Sequence, residues 1–244
     1  MKEKQKFSIF PFLIMGVFLV FASSCDKDKD NDPASNGTIF NPNINYGTVT
    51  DIDGNTYKTV TIGTQTWMAE NLRTTTYNDG TAIVNVTDDD EWSALTTGAY
   101  CNYNNTTSTD TIATYGRLYN WHAVNTGKLA PKGWHVPSDA EWTELIDYLG
   151  GRSVAGGKLK ETGTTHWYRP NDGATNETGF TALPGGSRGS GGAFGGIGGY
   201  GFWWSATEFN ATYAWYRSMN FNTSNVGRNY GSKEVGFSVR CARD

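Results

Sequence analysis

His122, His135 and His166 are the side chains best suited to acid–base work or to ligating a transition metal, and their spacing serves neither. They fall on separate expected elements, none sits in an H-E-x-x-H pattern, and each reads as structural or solvated. The run Asp88-Asp89-Asp90-Glu91 has oxygens enough for calcium, but four consecutive acids point in different directions and EF-hand spacing is missing. Helix capping accounts for it better, with Thr87-Asp88-Asp89-Asp90 opening a short helix through Glu91-Trp92-Ser93-Ala94-Leu95. Gly196-Ile197-Gly198-Gly199-Tyr200-Gly201 matches the G-x-G-x-x-G string, yet a dinucleotide site needs a helix after it, and here a strand begins at Phe202-Trp203-Trp204. An irregular loop that lets backbone segments approach closely is expected instead. No Ser, His and Asp set stands out for nucleophilic catalysis. Neither a catalytic residue, a metal nor a cofactor is expected.

What remains is the chemistry of recognition, concentrated near the carboxyl terminus. A strand over Ala214–Phe221 places Trp215, Met219 and Phe221 on one face and Ala214, Tyr216, Ser218 and Asn220 on the other. Val235, Phe237, Val239 and Cys241 repeat the alternation in a closing strand. Between them Asn222–Ser232 has almost nothing to bury and many groups that stack or hydrogen-bond. Tyr with Asn, Ser and Gly is the mixture of binding loops; a solvated hairpin of turn formers is the alternative.

The elements that must carry this stretch are legible upstream. β-Branched residues flank Asp53-Gly54 between Val49 and Ile62, a hairpin signal, and Gly63-Thr64 leads to a further strand through Trp67 and Met68. Leu118, Trp121 and Val124 recur at helical spacing over Tyr115–Val124. Ser138-Asp139-Ala140-Glu141 is a capping box before Trp142, Leu145, Ile146 and Leu149, and Gly150-Gly151 stops that helix. A short helix is expected over Gly156–Glu161, and a buried strand edge over Thr178–Pro184.

The chain has 244 residues, 14% of them aromatic with nine Trp, enough for a sizeable core in one domain. A net charge of −4 leaves no clustered basic surface, so nucleic acid is not an expected partner. Thirty Gly and 18% charged residues favour strands and ordered loops over long helices. Lys2, Lys4 and Lys6 before an apolar run from Phe7 to Ala22 form a secretory signal, over residues 1–24. Ala22-Ser23-Ser24-Cys25 resembles a bacterial lipoprotein signal, which implies acylation of Cys25 and a membrane association through that anchor only. Asp26-Lys27-Asp28-Lys29-Asp30-Asn31-Asp32 then reads as a solvated tether, expected to run over 25–46 before a domain at 47–244. An acidic tract in that place resembles the export signals of surface lipoproteins in the Bacteroidetes, implying an outer-membrane lipoprotein exposed at the cell surface. With Cys25 lipidated, Cys101 and Cys241 are left as an even pair in an oxidising compartment. A disulfide is the natural reading, with a gain on the order of 4–5 kcal/mol for so long a loop; two buried free thiols are the rival.

Four ordered motifs carry a family resemblance: Trp67-Met68-Ala69-Glu70-Asn71-Leu72, Tyr115-Gly116-Arg117-Leu118-Tyr119-Asn120-Trp121, Gly133-Trp134-His135-Val136-Pro137-Ser138-Asp139-Ala140-Glu141-Trp142 and Gly236-Phe237-Ser238-Val239-Arg240-Cys241. They resemble the Fibrobacter succinogenes major paralogous domain family, which is similar in architecture to formylglycine-generating enzymes and C-type lectins. The resemblance implies an α+β, C-type lectin-like fold with two main helices and a small twisted, mainly antiparallel sheet. Those enzymes depend on a cysteine pair late in the domain, where this chain has Cys241 alone. It also lacks the Glu-Pro-Asn or Gln-Pro-Asp and Trp-Asn-Asp triplets by which sugar-binding lectins hold calcium. Some members of the fold are targets of diversity-generating retroelements. On that likeness Trp215, Arg217, Asn225, Val226, Arg228 and Gly236 to Cys241 are frame, and Phe209, Asn210, Tyr213, Tyr216, Ser218, Asn220, Asn222, Asn229 and Tyr230 are display positions. The function expected is non-catalytic binding of an external protein or glycan. An extracytoplasmic enzyme related to the oxidases and a fimbria-associated structural component are the alternatives.

Overall fold

The β-branched runs around Asp53-Gly54 fold back on each other, β1 (Gly47–Thr50) pairing antiparallel with β2 (Thr56–Ile62), and β2 with β3 (Gln65–Met68). This computed structural model describes residue 1 and residues 37–244. The expected signal peptide, Cys25 and the acidic start of the tether lie outside the described residues. Every element named below belongs to one compact unit, Pro33–Asp244. The tether does not run to residue 46 as expected. Thr38 is buried, Ile39 N–H donates to Glu161 Oε1 at 2.7 Å, and Asn41 Nδ2 donates to the Asn176 carbonyl at 2.9 Å. Phe40, Ile44 and Tyr46 pack on the core, an apolar anchor that the charged stretch before them lacks.

Next along the chain come β4 (Val84–Asn85), α1 (Asp89–Ser93), β5 (Ala99–Cys101), α2 (Thr109–Tyr115), β6 (Leu118–Tyr119), α3 (Trp121–Val124) and β7 (Trp134–His135). They are followed by α4 (Asp139–Tyr148), α5 (Arg152–Leu159), β8 (Ser187–Arg188) and β9 (Phe194–Gly195). The chain ends with β10 (Tyr200–Glu208), β11 (Tyr213–Asn220), β12 (Val226–Ser232) and β13 (Ala242–Arg243). The fold is mixed α+β. One sheet has the order β1-β2-β3-β13-β7, two more have the orders β4-β5-β6 and β10-β11-β12, and β8-β9 is a hairpin inside the glycine-rich loop. All pairs but β4-β5 are antiparallel.

The capping box forms in full: Glu141 N–H donates to Ser138 Oγ while Glu141 Oε2 accepts from Ser138 N–H, and Trp142, Leu145, Ile146 and Leu149 are buried. Each such side chain contributes roughly 1.5–3 kcal/mol by leaving water. Two apolar clusters result. One gathers Tyr57, Tyr119, Trp121, Trp204 and Phe237; the other gathers Trp67, Trp142, Leu145, Trp203 and Met219 against α4.

Four expectations are corrected. The helix over Tyr115–Val124 is interrupted: Gly116 at φ 73° ends α2, β6 follows, and Asn120 caps the one-turn α3 through its side chain. The closing strand over Val235–Cys241 is instead a run of single bridges, Gly236 to Arg188, Phe237 to Tyr119 and Ser238 to Trp203, because three different neighbours compete for its backbone. Thr178–Pro184 forms no strand, its only ladder contact being the Lys160–Ala182 bridge, although Phe180, Ala182 and Leu183 are buried. Finally, Cys101 and Cys241 are free buried thiols, not a disulfide. Cys101 packs with Val86, Trp92 and Leu118, whereas Cys241 packs with Val239 and Phe237 in a different cluster. Burial pushes the Cys101 thiol up to about 12 and raises Cys241 as well, so both behave as core side chains.

Candidate functional site

Antiparallel register puts directly opposed residues of β10, β11 and β12 on the same face. One face carries Trp203–Arg217–Arg228, Met219–Val226 and Trp215–Tyr230; the other carries Phe202–Ser218–Gly227 and Trp204–Tyr216–Asn229. The first face packs on α4 at Trp203 and Met219, and a fully buried arginine, Arg217, sits among these apolar groups. Its Nη1 donates to Asp139 Oδ1 at 2.6 Å, and its Nη2 to the Asp139 carbonyl and Thr143 Oγ1 at 3.0 Å each. The same carboxylate accepts from Arg228 Nη2 at 2.8 Å, and the Arg228 guanidinium lies 3.8 Å from the centre of the Trp215 ring. Burial works against the Asp139 charge, but the two arginines hold its carboxyl below the usual range. Asp139 thus ties α4 to the middle strand β11 and the outer strand β12 of the display.

Past α4 this face opens. Phe209 and Tyr230 stack at 4.1 Å with planes 5° apart, Trp215 meets Phe209 edge-on at 5.0 Å, and Tyr213 meets Tyr230 at 5.7 Å. Phe209, Tyr213 and Tyr230 are 41%, 38% and 51% exposed, a solvent-facing aromatic cluster carried by β11, β12 and the residue that follows β10. On the opposite face Tyr216 is half-buried against Phe237 and Trp204, while Ser218 and Asn220 are half-buried and Asn229 is exposed. Asn210 and Asn222 lie exposed in the flanking turns; Asn210 Oδ1 accepts the Thr212 and Tyr213 amides at 2.9 Å. The nine sequence-nominated residues therefore divide between two faces and two turns and do not form one patch. Of the nominated frame, Arg217, Val226 and Gly236 to Cys241 are buried and Trp215 half-buried, whereas Arg228 and Asn225 are exposed.

Two contributors were missed. Lys160, fully buried at the end of α5, aims its ammonium at the carbonyls of Asp172, Asn220 and Thr223, each at 3.0 Å, and over the Trp167 ring. Burial pushes it down to about 8. It fastens the turn between β11 and β12 from beneath. The turn comes this close because α5 carries Gly156, where a Cβ would stand 2.6 Å from the Asn225 carbonyl. The second is Asp139, visible in the sequence only as part of the capping box.

The other side chains weighed for chemistry make the following contacts. Asp88 caps α1 through the Glu91 amide, and the fully buried Arg188 spans the carbonyls of Val86, Thr87 and Asp88 and pairs with Asp89 at 2.7 Å. Among the described residues no three His, Cys, Asp or Glu side chains are grouped to hold a metal. His166 Nδ1 meets the buried Glu161 at 2.7 Å, and His122 lies 3.9 Å from Glu234. His135 is held between Glu141 Oε1 at 2.7 Å and Asp244 Oδ1 at 2.6 Å, latching the carboxyl terminus to the start of α4. Burial opposes its charge, but the two carboxylates raise its pKa above the ordinary value of about 6.5. A raised folded-state pKa stabilises fully below the unfolded value and is lost as pH climbs through the folded one. The thermal midpoint is therefore expected to decline as pH rises from ~6.5 through the raised value, and His135→Gln to flatten that limb. A profile unchanged by the substitution in pH-scanned calorimetry would remove the latch.

The family model of the Fibrobacter succinogenes major domain matches residues 60–243. No curated protein and no solved structure matches the chain.

Proposed function

The chain belongs to the Fibrobacter succinogenes major domain family, and from that membership we propose that it binds an external protein or glycan through β10–β12, without catalysis. In this reading the domain has a C-type lectin-like fold, and Cys25 is lipidated and anchors it as an outer-membrane lipoprotein facing the cell exterior. The family match is consistent with a surface protein. The observation that carries the reading is the exposed cluster Phe209, Tyr213 and Tyr230, mounted beside the sealed Arg217, Trp203 and Met219. Aromatic side chains with an adjacent arginine are the residues that dominate binding energies at interfaces. The sealed neighbours fix the backbone, so the outward positions can vary at little cost. A diversity-generating retroelement acting on the final gene segment fits that division.

Randomising the nine display codons in the full chain tests it. Surface substitutions cost about 0.5 kcal/mol or less each, so variants at the exposed positions should keep a cooperative melt, with a larger loss expected where Tyr216, packed on Phe237 and Trp204, is replaced by a small residue. Selection should yield binders to unrelated surface proteins or glycans. General unfolding of the library, or binding indifferent to these positions, would overturn the proposal. Across isolates, substitutions spread evenly over the domain would reject diversification.

A further inference from the structure

We propose that the free edge of β12 receives an extended, acidic segment of a protein partner as a fourth strand of the β10–β12 sheet. This rests on the recognition reading and narrows its ligand to polypeptide. In the order β10-β11-β12 the last strand pairs on one side only. Its phase is fixed by two observations. The Val226 carbonyl turns away from β11 and accepts Arg152 Nε at 3.1 Å, and across the sheet Trp204 N–H turns away from β11 to Ser238 O. Antiparallel alternation then aims the N–H and C=O of Arg228 and Tyr230 outward too. Among the described residues no hydrogen bond closes on these four groups.

Such a row, donor and acceptor repeating every second residue, matches another extended backbone and not the hydroxyls of a sugar. The usual protections of an edge are missing. β12 reads Val226-Gly227-Arg228-Asn229-Tyr230-Gly231-Ser232, with no Pro, no Lys and no bulge, and its one charge is folded onto Trp215. α5 packs against the Val226 end and stops an incoming strand there, leaving the stretch from Arg228 onward open.

The charge of the guest follows from the arginines. Arg217 and Arg228 share the single Asp139 carboxylate, and Arg152, close enough to act on Arg217, makes no ion pair among the described residues. The surplus is positive, so an Asp or Glu in the guest strand is favoured. Its alternate side chains fall beside the Tyr230–Phe209 stack on one face and the exposed Asn229 amide on the other. An apolar residue suits the first position and a polar one the second.

The test is panning of the full-length protein with a displayed library of random peptides about twelve residues long, enough to span such an edge. Enriched peptides should alternate apolar and polar residues and include an acid. N-methylating every second amide of the best synthetic peptide should weaken binding at least ~10-fold in one phase and little in the other. Tyr230→Pro, which removes an outward N–H and no ladder bond, should abolish binding while the melt stays cooperative. Peptides that tolerate methylation in both phases would overturn the proposal. So would concentration-dependent dimers lost in Tyr230→Pro, since a second copy would then occupy the edge. Glycan-array binding lost in Phe209→Ala, with no peptide enriched, would keep the recognition reading and sink this one; silence from both probes would sink both.

Discussion

Asp139→Ala should lower the thermal midpoint by roughly 10 °C, the largest effect expected of any surface-reachable carboxylate in the protein. The residue neutralises Arg217, which has 0% exposure and whose Nε already lacks a partner. Removing one member of a buried pair costs about 3–5 kcal/mol because the other is left charged and dry. A chain this size loses about 2–4 °C per kcal/mol. Arg228→Ala should cost no more than about 1 kcal/mol, since that guanidinium is 39% exposed and screened. Asp139→Leu combined with Arg217→Met should recover much of the loss, because an apolar pair of similar volume removes the unpaired charge. Calorimetry of the double-mutant cycle checks this; a loss below about 1 kcal/mol for Asp139→Ala would mean the buried guanidinium is not held by that carboxylate.

Lys160→Met is the second large effect, and its signature is local as well as global. The substitution keeps the stem but takes the ammonium away from three carbonyls, those of Asp172, Asn220 and Thr223, in a partly buried turn. At about 1–3 kcal/mol for a group left unsatisfied, and less wherever water replaces the ammonium, a total on the order of 3 kcal/mol is expected. Amides from Asn220 to Asn225 should also exchange faster with deuterium, well beyond any change in the amides of β1 and β2. Uniform acceleration across the chain would show that the ammonium contributes only to overall stability and does not hold the turn.

The parts of the molecule governed by local rules could be read in advance. The capping box at Ser138 and Glu141, the hairpin at Asp53-Gly54 and the Asp88 cap all formed where their residue types demanded. The alternation in β11 was readable too, except that Arg217 occupies a position inside the apolar face; no pattern of hydrophobicity predicts a charge there, since what admits it is Asp139, distant in sequence. β12 was missed because it buries one large side chain, Val226, and Gly227 and Gly231 erase its period. The spacing of Leu118, Trp121 and Val124 suits a continuous helix as well as the strand, cap and single turn that form. Gly116 and Asn120 were the signals that distinguished them. The disulfide expectation came from counting thiols, and counting says nothing about which side of the core each faces. Lys160 was invisible because its role lies in where three distant carbonyls converge.

The distribution of indoles gives the protein an optical reporter of its own. Of nine tryptophans, Trp67, Trp92, Trp121, Trp142, Trp167, Trp203 and Trp204 are sealed, leaving Trp134 and Trp215 in partial contact with water. Trp215 lies under the Arg228 guanidinium and against Phe209, so one of the two indoles favoured by red-edge excitation sits at the centre of the display face without any label attached.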